Sequence, residues 1–140
     1  MKILIIDGQS GRLGAQIIKG LRKAGLSAPH QLIAVGTNAL ATSGMINAGA
    51  DQGASGENAV VVQCRRADII AGPIGITLAD AMLGEITPPM AVAVGQSSAA
   101  RVLLPSDRCS TFVIGAAPLS RKQQIDAAVQ QILALCSPVS

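Results

Sequence analysis

Aromatic residues are almost missing from this 140-residue chain: Phe112 is the only one, with no Trp and no Tyr. A core of Ala, Val, Ile and Leu must therefore do the packing, and helices and sheet can approach closely. No platform of rings exists for stacking bases, which argues against single-strand nucleic-acid binding. Cysteine is scarce as well. Cys64, Cys109 and Cys136 form no C-x-x-C pair, and His30 is the only histidine. Neither a zinc site nor a disulfide framework is expected, and a reducing compartment such as the cytoplasm fits. Long apolar runs are absent too. The first, Ile3 to Ile6, ends at Asp7-Gly8, too short for a secretion signal, and no stretch reaches a membrane span without Gly, Pro or charge. Charge of one sign is nowhere concentrated. The formal net charge is +3, with short basic pairs at Arg22-Lys23, Arg65-Arg66 and Arg121-Lys122. Dispersed charge of this size serves solubility and does not point to nucleic acid.

What is present is apolar material, 49% of residues against 14% charged, in a length that suits one domain. Residues 2–6 are a β-branched run bounded by Asp7-Gly8 and read as a buried central strand. Residues 11–24 carry Leu13, Ile17, Ile18 and Leu21 at helical spacing, and Gly25 ends that helix. Residues 31–35 are the next strand, which completes one β-α-β crossover unit. Residues 38–48 read as a helix and 51–56 as a small-residue loop. The Val60-Val61-Val62 triplet favours a strand at 57–66, its place before the next strand favours a helix, and helix is the assignment taken.

Residues 68–71 read as a third strand, 75–83 as a helix, 101–104 as a fourth strand and 111–114 as a fifth. Thr87 reads as an N-cap with Pro88 at the first helical position of a helix through 90–94 that is apolar on every side. Residues 120–135 form a last helix with Ile125, Ala128, Val129 and Ile132 inward, and 137–140 are a tail. Strands alternating with helices predict an α/β fold: a single three-layer domain over 1–140 with a parallel sheet of about five strands. In order of appearance those strands are expected to lie 2-1-3-4-5, the third returning beside the first.

The sharpest feature is Asp7-Gly8-Gln9-Ser10-Gly11-Arg12-Leu13-Gly14, set between the first strand and the first helix. Gly8 lets the chain turn off the strand, Gly11 leaves room for a phosphate, and Gly14 lets the helix pack on the sheet. The amides of the helix start and the helix dipole attract an anion. Ser10 and Arg12 add donors. A purely structural role for the glycines stays open. Asp7 is unusual beside an anion, and either caps the turn's amides or meets a ribose or a metal ion. Dinucleotide domains place an acid at the end of the second strand to hold ribose. Here Gly36, Thr37 and Asn38 stand there, and Thr37 and Asn38 can still hydrogen-bond a ribose.

The spacing G-x-x-G-x-x-G resembles the turn of extended short-chain dehydrogenases and of dihydrodipicolinate-reductase-type enzymes, over the first 35 residues. The short-chain dehydrogenase mechanism needs a Tyr and Lys pair, and a chain without Tyr cannot run it.

Ligands in open parallel sheets sit beyond the carboxyl ends of the strands. The loops expected there are 8–14, 36–38, 72–75, 105–107 and 115–118. Gly72-Pro73 begins a rigid loop able to close over a ligand. Asp80 and Glu85 could act as an acid and base or hold Mg²⁺, but read more simply as a solvated face or helix cap. His30 falls at the opposite end, and Cys64 and Cys109 read as packing residues.

Longer stretches also carry a resemblance. I-D-G-Q-S-G-R-L-G, V-G-T-N-A-L-A-T-S-G-M, G-A-S-G-E-N-A-V, A-D-I-I-A-G-P-I-G-I and M-L-G-E-I-T-P-P-M-A resemble an uncharacterised family of short Rossmann-like bacterial proteins of unknown function. The resemblance implies the fold and supplies no catalytic residues.

Three functions follow as expectations: a domain binding a nucleotide, NAD(P) foremost; a small enzyme on a phosphorylated substrate; or an interaction module that docks through 90–94. The all-apolar helix also predicts a homo-oligomer. Sedimentation velocity at micromolar concentration should return a dimer or larger species, and a monomer would refute this.

Overall fold

The computed structural model describes residues 1–106 and 110–137. Expectations that fall on Asp107, Cys109 and the tail at 138–140 lie outside the described residues.

Five parallel strands form the centre: β1 (Lys2–Asp7), β2 (Gln31–Gly36), β3 (Gln52–Ser55), β4 (Ile69–Pro73) and β5 (Ala100–Leu104). Their order across the sheet is β3-β2-β1-β4-β5. Leu4 lies opposite Ile33 of β2 on one side and Ile70 of β4 on the other. The α/β three-layer architecture with a five-strand parallel sheet is as expected, and so is the return of the chain from the β2 side to pair β4 beside β1.

Side chains of β1 alternate between two cores, as a pleated strand dictates. Ile3 and Ile5 pack with Ile17, Ile18 and Leu21 of α1 (Arg12–Lys23), Met45 of α2 (Ala39–Ala48) and Val129 and Ile132 of α5 (Arg121–Cys136). Leu4 and Ile6 pack with Val60 and Cys64 of α3 (Glu57–Arg66) and Met90 and Val94 of α4 (Pro88–Gln96). The stripe Ile125, Ala128, Val129 and Ile132 is buried, and Thr87 caps α4 with Pro88 at its first position.

Three elements differ from expectation. Residues 52–55 form an edge strand paired with β2, not a loop. All four are exposed, so no apolar residue was needed there to announce it. The 75–83 segment holds only a 3₁₀ turn at Ile74–Thr77 followed by tight turns through Glu85. Residues 111–114 form no strand. Phe112 and Ile114 are 79% and 94% exposed, and no neighbouring strand covers them. The expected 2-1-3-4-5 order therefore holds for its first four strands, while the fifth is replaced by β3 on the opposite edge.

The far end of the sheet is held by one side chain. Arg22 donates to the Gly49 carbonyl at 2.8 Å and the Leu26 carbonyl at 2.9 Å, and pairs with Asp51 at 2.9 Å. Asp51 in turn accepts the Leu32 amide at 2.8 Å. The end of α1, the end of α2 and the start of β2 are thereby joined.

Packing of α1 on the sheet sets a stability expectation. Ile18→Ala removes a fully buried side chain and should lower the unfolding free energy by about 2–5 kcal/mol. Leu40→Ala, at a residue 70% exposed on α2, should change it by less than about 0.5 kcal/mol. Urea denaturation of the two variants checks the contrast.

Candidate functional site

Strand β1 delivers Asp7 to the carboxyl edge of the sheet, where its side chain is buried. One carboxylate oxygen accepts the Gly8 amide and the other the Gly14 amide, each at 2.8 Å. Asp7 thus caps the third residue of α1 from outside the helix, a task that the helix's own N-cap, Gly11, has no side chain to perform. Burial raises the Asp7 pKa, and the two amide bonds partly oppose that.

The glycines have separable reasons. Gly11 has φ +73, and a Cβ there would lie 2.7 Å from the Ala41 backbone. Its bareness serves the approach of α1 to α2, not the approach of a phosphate. A Cβ on Gly14 would meet Met45 Sδ at 2.6 Å, so that position serves packing, as expected. A Cβ on Gly8 would meet Met82 Sδ at 2.6 Å and Thr37 Oγ1 at 2.8 Å.

Among the described residues, the amides of Ser10, Arg12 and Leu13 have no hydrogen-bond partner, whereas that of Gly11 bonds the Gly8 carbonyl. These three residues line a cleft of about 820 Å³ together with Asp7, Gly8, Gln9, Gln16, Pro73, Met82, Leu83, Ser106 and Arg121. The cleft opens between β1 and β4, where the order of strands reverses. This is the switch point at which open α/β sheets bind ligands. Arg12 and Arg121 come from the starts of α1 and α5 and are both exposed. Neither makes an ion pair among the described residues.

The β2 side is different. Glu85, which the sequence reading left outside the site, accepts the Gln9 amide at 2.7 Å, the Thr37 hydroxyl at 2.8 Å and the Asn38 side-chain amide at 2.7 Å. Desolvation pushes the Glu85 pKa up, but the bonds from Asn38, Thr37 and Gln9 prevail and hold it below the ordinary value. Thr37 and Asn38, expected to face a ribose, are turned to this carboxylate. Asn38 also caps α2 through the Ala41 amide.

Gly36 is closed in by Thr42, whose Oγ1 would lie 2.5 Å from a Cβ there. Gly72 is buried against the Ile6 carbonyl and Pro73 belongs to β4, so this pair ends a strand and does not form a closing loop. Of the pair, only Pro73 lines the cleft. Asp80 is exposed and does not meet Glu85 as an acid–base pair. Its amide bonds the Ile86 carbonyl at 2.6 Å and closes the turn that carries Glu85. His30 lies beside the N-terminal amine, at the other end of the sheet. Cys64 is buried among apolar residues and its thiol is pushed up to about 11. No group of three or more His, Cys, Asp or Glu side chains converges among the described residues.

The sequence pattern described as Domain of unknown function (DUF3842) matches residues 2–137. The chain belongs to this family. None of the curated proteins matches it. Among solved structures, the DUF3842 chain is similar to a dodecameric FMN-dependent UbiX-like decarboxylase from Escherichia coli O157:H7. The TM-score is 0.50 at 17% identity, over 96% of this chain and 93% of that one. AibC is similar over 94% of this chain and 38% of its own, with a TM-score of 0.49 at 15% identity. The first likeness shows a Rossmann-like fold. Among the described residues no helix is long and apolar enough to cross a membrane.

The two carboxylates give opposite acid responses. Glu85 has a lowered folded pKa, so its stabilisation is present above the ordinary value of 4.5 and lost as pH falls through the folded pKa. Asp7 has a raised folded pKa, so its contribution is greatest below the ordinary value of 3.8 and declines as pH rises. In Glu85→Gln the stability deficit relative to the native chain should be largest near neutrality and shrink as pH falls below 4.5. Denaturation midpoints across that range test this, and a constant deficit would contradict it.

Proposed function

We propose that this chain binds a small phosphate-bearing ligand of the nucleotide class, with the phosphate at the start of α1 between Arg12 and Arg121. One observation carries the reading. Ser10, Arg12 and Leu13, whose amides have no partner among the described residues, line a cleft at the sheet's switch point together with Arg121, and neither the Arg12 nor the Arg121 guanidinium makes an ion pair among those residues. A phosphate there would accept backbone bonds and meet charge of the opposite sign. Ser10 and Ser106 supply further hydroxyls at the cleft wall. The Asp7 carboxylate in the same cleft is engaged by the Gly8 and Gly14 amides. NAD(P) and FMN are both of the required class, and FMN is the cofactor on which the UbiX-like decarboxylase is described as dependent.

We further take residues 1–140 as one domain, working in the cytoplasm as a homo-oligomer. The family match spans nearly all of the chain, and the similar decarboxylase is dodecameric. A second reading, an interaction module, draws support from apolar side chains left in the open: Val92 of α4 is 52% exposed and Leu83 97%.

The test is calorimetry with inorganic phosphate, AMP and FMN. Arg12→Ala and Arg121→Ala should each weaken binding about tenfold, the value of one charge-assisted bond. Their melting temperatures should hardly move, because both side chains are exposed. Absence of binding by all three would sink the nucleotide reading and leave the interaction module.

A further inference from the structure

We infer that the segment Leu78–Ile86 is a built-in occupant of the place that the second half of a dinucleotide would need, so that the site admits mononucleotides and rejects dinucleotides. The inference rests on the nucleotide reading of the cleft and narrows its ligand class.

A dinucleotide on an open α/β sheet straddles the switch point, with its pyrophosphate against the glycine turn and one ribose at the end of the second strand. In this chain the Gly8 corner of the turn and the end of β2 are both filled from within, while Ser10, Arg12 and Leu13 still line the cleft. The approach to Gly8 is taken by Met82, whose sulfur would stand 2.6 Å from a Cβ on that glycine. The polar donors at the end of β2, Thr37 Oγ1 and Asn38 Nδ2, are both spent on Glu85, which also takes the Gln9 amide. The carboxylate has no cation partner among the described residues. A second phosphate arriving on this side would therefore meet negative charge and a thioether, and would find the nearby donors already satisfied.

The segment is built to stay in place. Asp80, Met82 and Leu83 all have φ between +57 and +68, a conformation that side chains adopt at a cost. It is held by bonds within the turn, Asp80 N to the Ile86 carbonyl at 2.6 Å and Ile86 N to the Ala81 carbonyl at 3.1 Å. Ile86 anchors it, fully buried against the α3–α4 core. Met82 and Leu83 form one wall of the cleft whose other walls are Arg12, Pro73, Ser106 and Arg121, so the segment bounds the room left for a ligand.

The experiment compares each dinucleotide with its own half on the native protein: FMN against FAD, and AMP against NAD⁺. Both mononucleotides should bind about tenfold or more tightly than the corresponding dinucleotide. Trimming the segment with Met82→Ala and Glu85→Ala together should close that gap by improving the dinucleotides more than FMN and AMP. A dinucleotide that binds the native protein as well as its half overturns the inference and leaves the cleft reading standing. An unchanged gap in a folded double variant overturns it as well, since the discrimination would then lie elsewhere. If none of the four ligands binds, the cleft reading itself fails and takes the inference with it. The native comparison stands on its own should the double variant not fold.

Discussion

The carboxylate of Asp7 joins the central strand to the first helix, and the remaining geometry of the site hangs on that junction. Its two oxygens take the Gly8 and Gly14 amides, and so fix the angle at which the chain leaves β1 and enters α1. A buried carboxylate with only one amide would carry a large desolvation cost. With two, it works as a remote cap, and the helix can begin on a glycine with φ +73. That glycine lets α1 approach the Ala41 backbone. Ser10, Arg12 and Leu13, whose amides have no partner among the described residues, line the cleft.

Much of this was legible from residue order. Four of the five strands and all five helices lie close to where the apolar pattern placed them, because their inward faces are built from Ile, Val, Leu and Ala at fixed periods. Thr87-Pro88 and Ser120 announced helix starts through cap chemistry. Failures have equally local causes. β3 buries none of its residues, so its identity lies in backbone pairing with β2 alone. The run Thr-Phe-Val-Ile at 111–114 has strand composition but joins no sheet among the described residues, and Phe112 and Ile114 stay exposed.

In the site, the glycine turn and Asp7 were evident from spacing, Ser106 lies in a loop expected at this end of the sheet, and Arg121 was not foreseen. Its arrival in the cleft depends on how α5 returns to the sheet, which no local pattern encodes. Glu85 was noticed as a carboxylate but not as a partner of Thr37. The acid that dinucleotide domains carry at the end of the second strand is sought within that strand's own loop. Here it comes from 48 residues further along, delivered by a turn in which Gly84 is the one glycine of four positive-φ residues, Asp80, Met82 and Leu83 being the others, so that most of its strain leaves little mark on the sequence. The glycines also mislead in a specific way. Bareness at Gly8 and Gly11 invites a ligand on paper, while in the fold each is met by the chain itself.

The sheet's two ends are finished in opposite manner. At one, each nitrogen of the Arg22 guanidinium is engaged, by the Gly49 carbonyl, the Leu26 carbonyl and Asp51. At the other, donors of the α1 start are left over. Deuterium should thus enter the molecule unevenly along its strands. Ser10, Arg12 and Leu13 have no bond that must open before solvent reaches their protons, whereas the Leu32 amide, tied to Asp51, must wait for the knot around Arg22 to loosen. The same three protons would slow when something sits on them, which makes the bare end of α1 a reporter of its own occupancy.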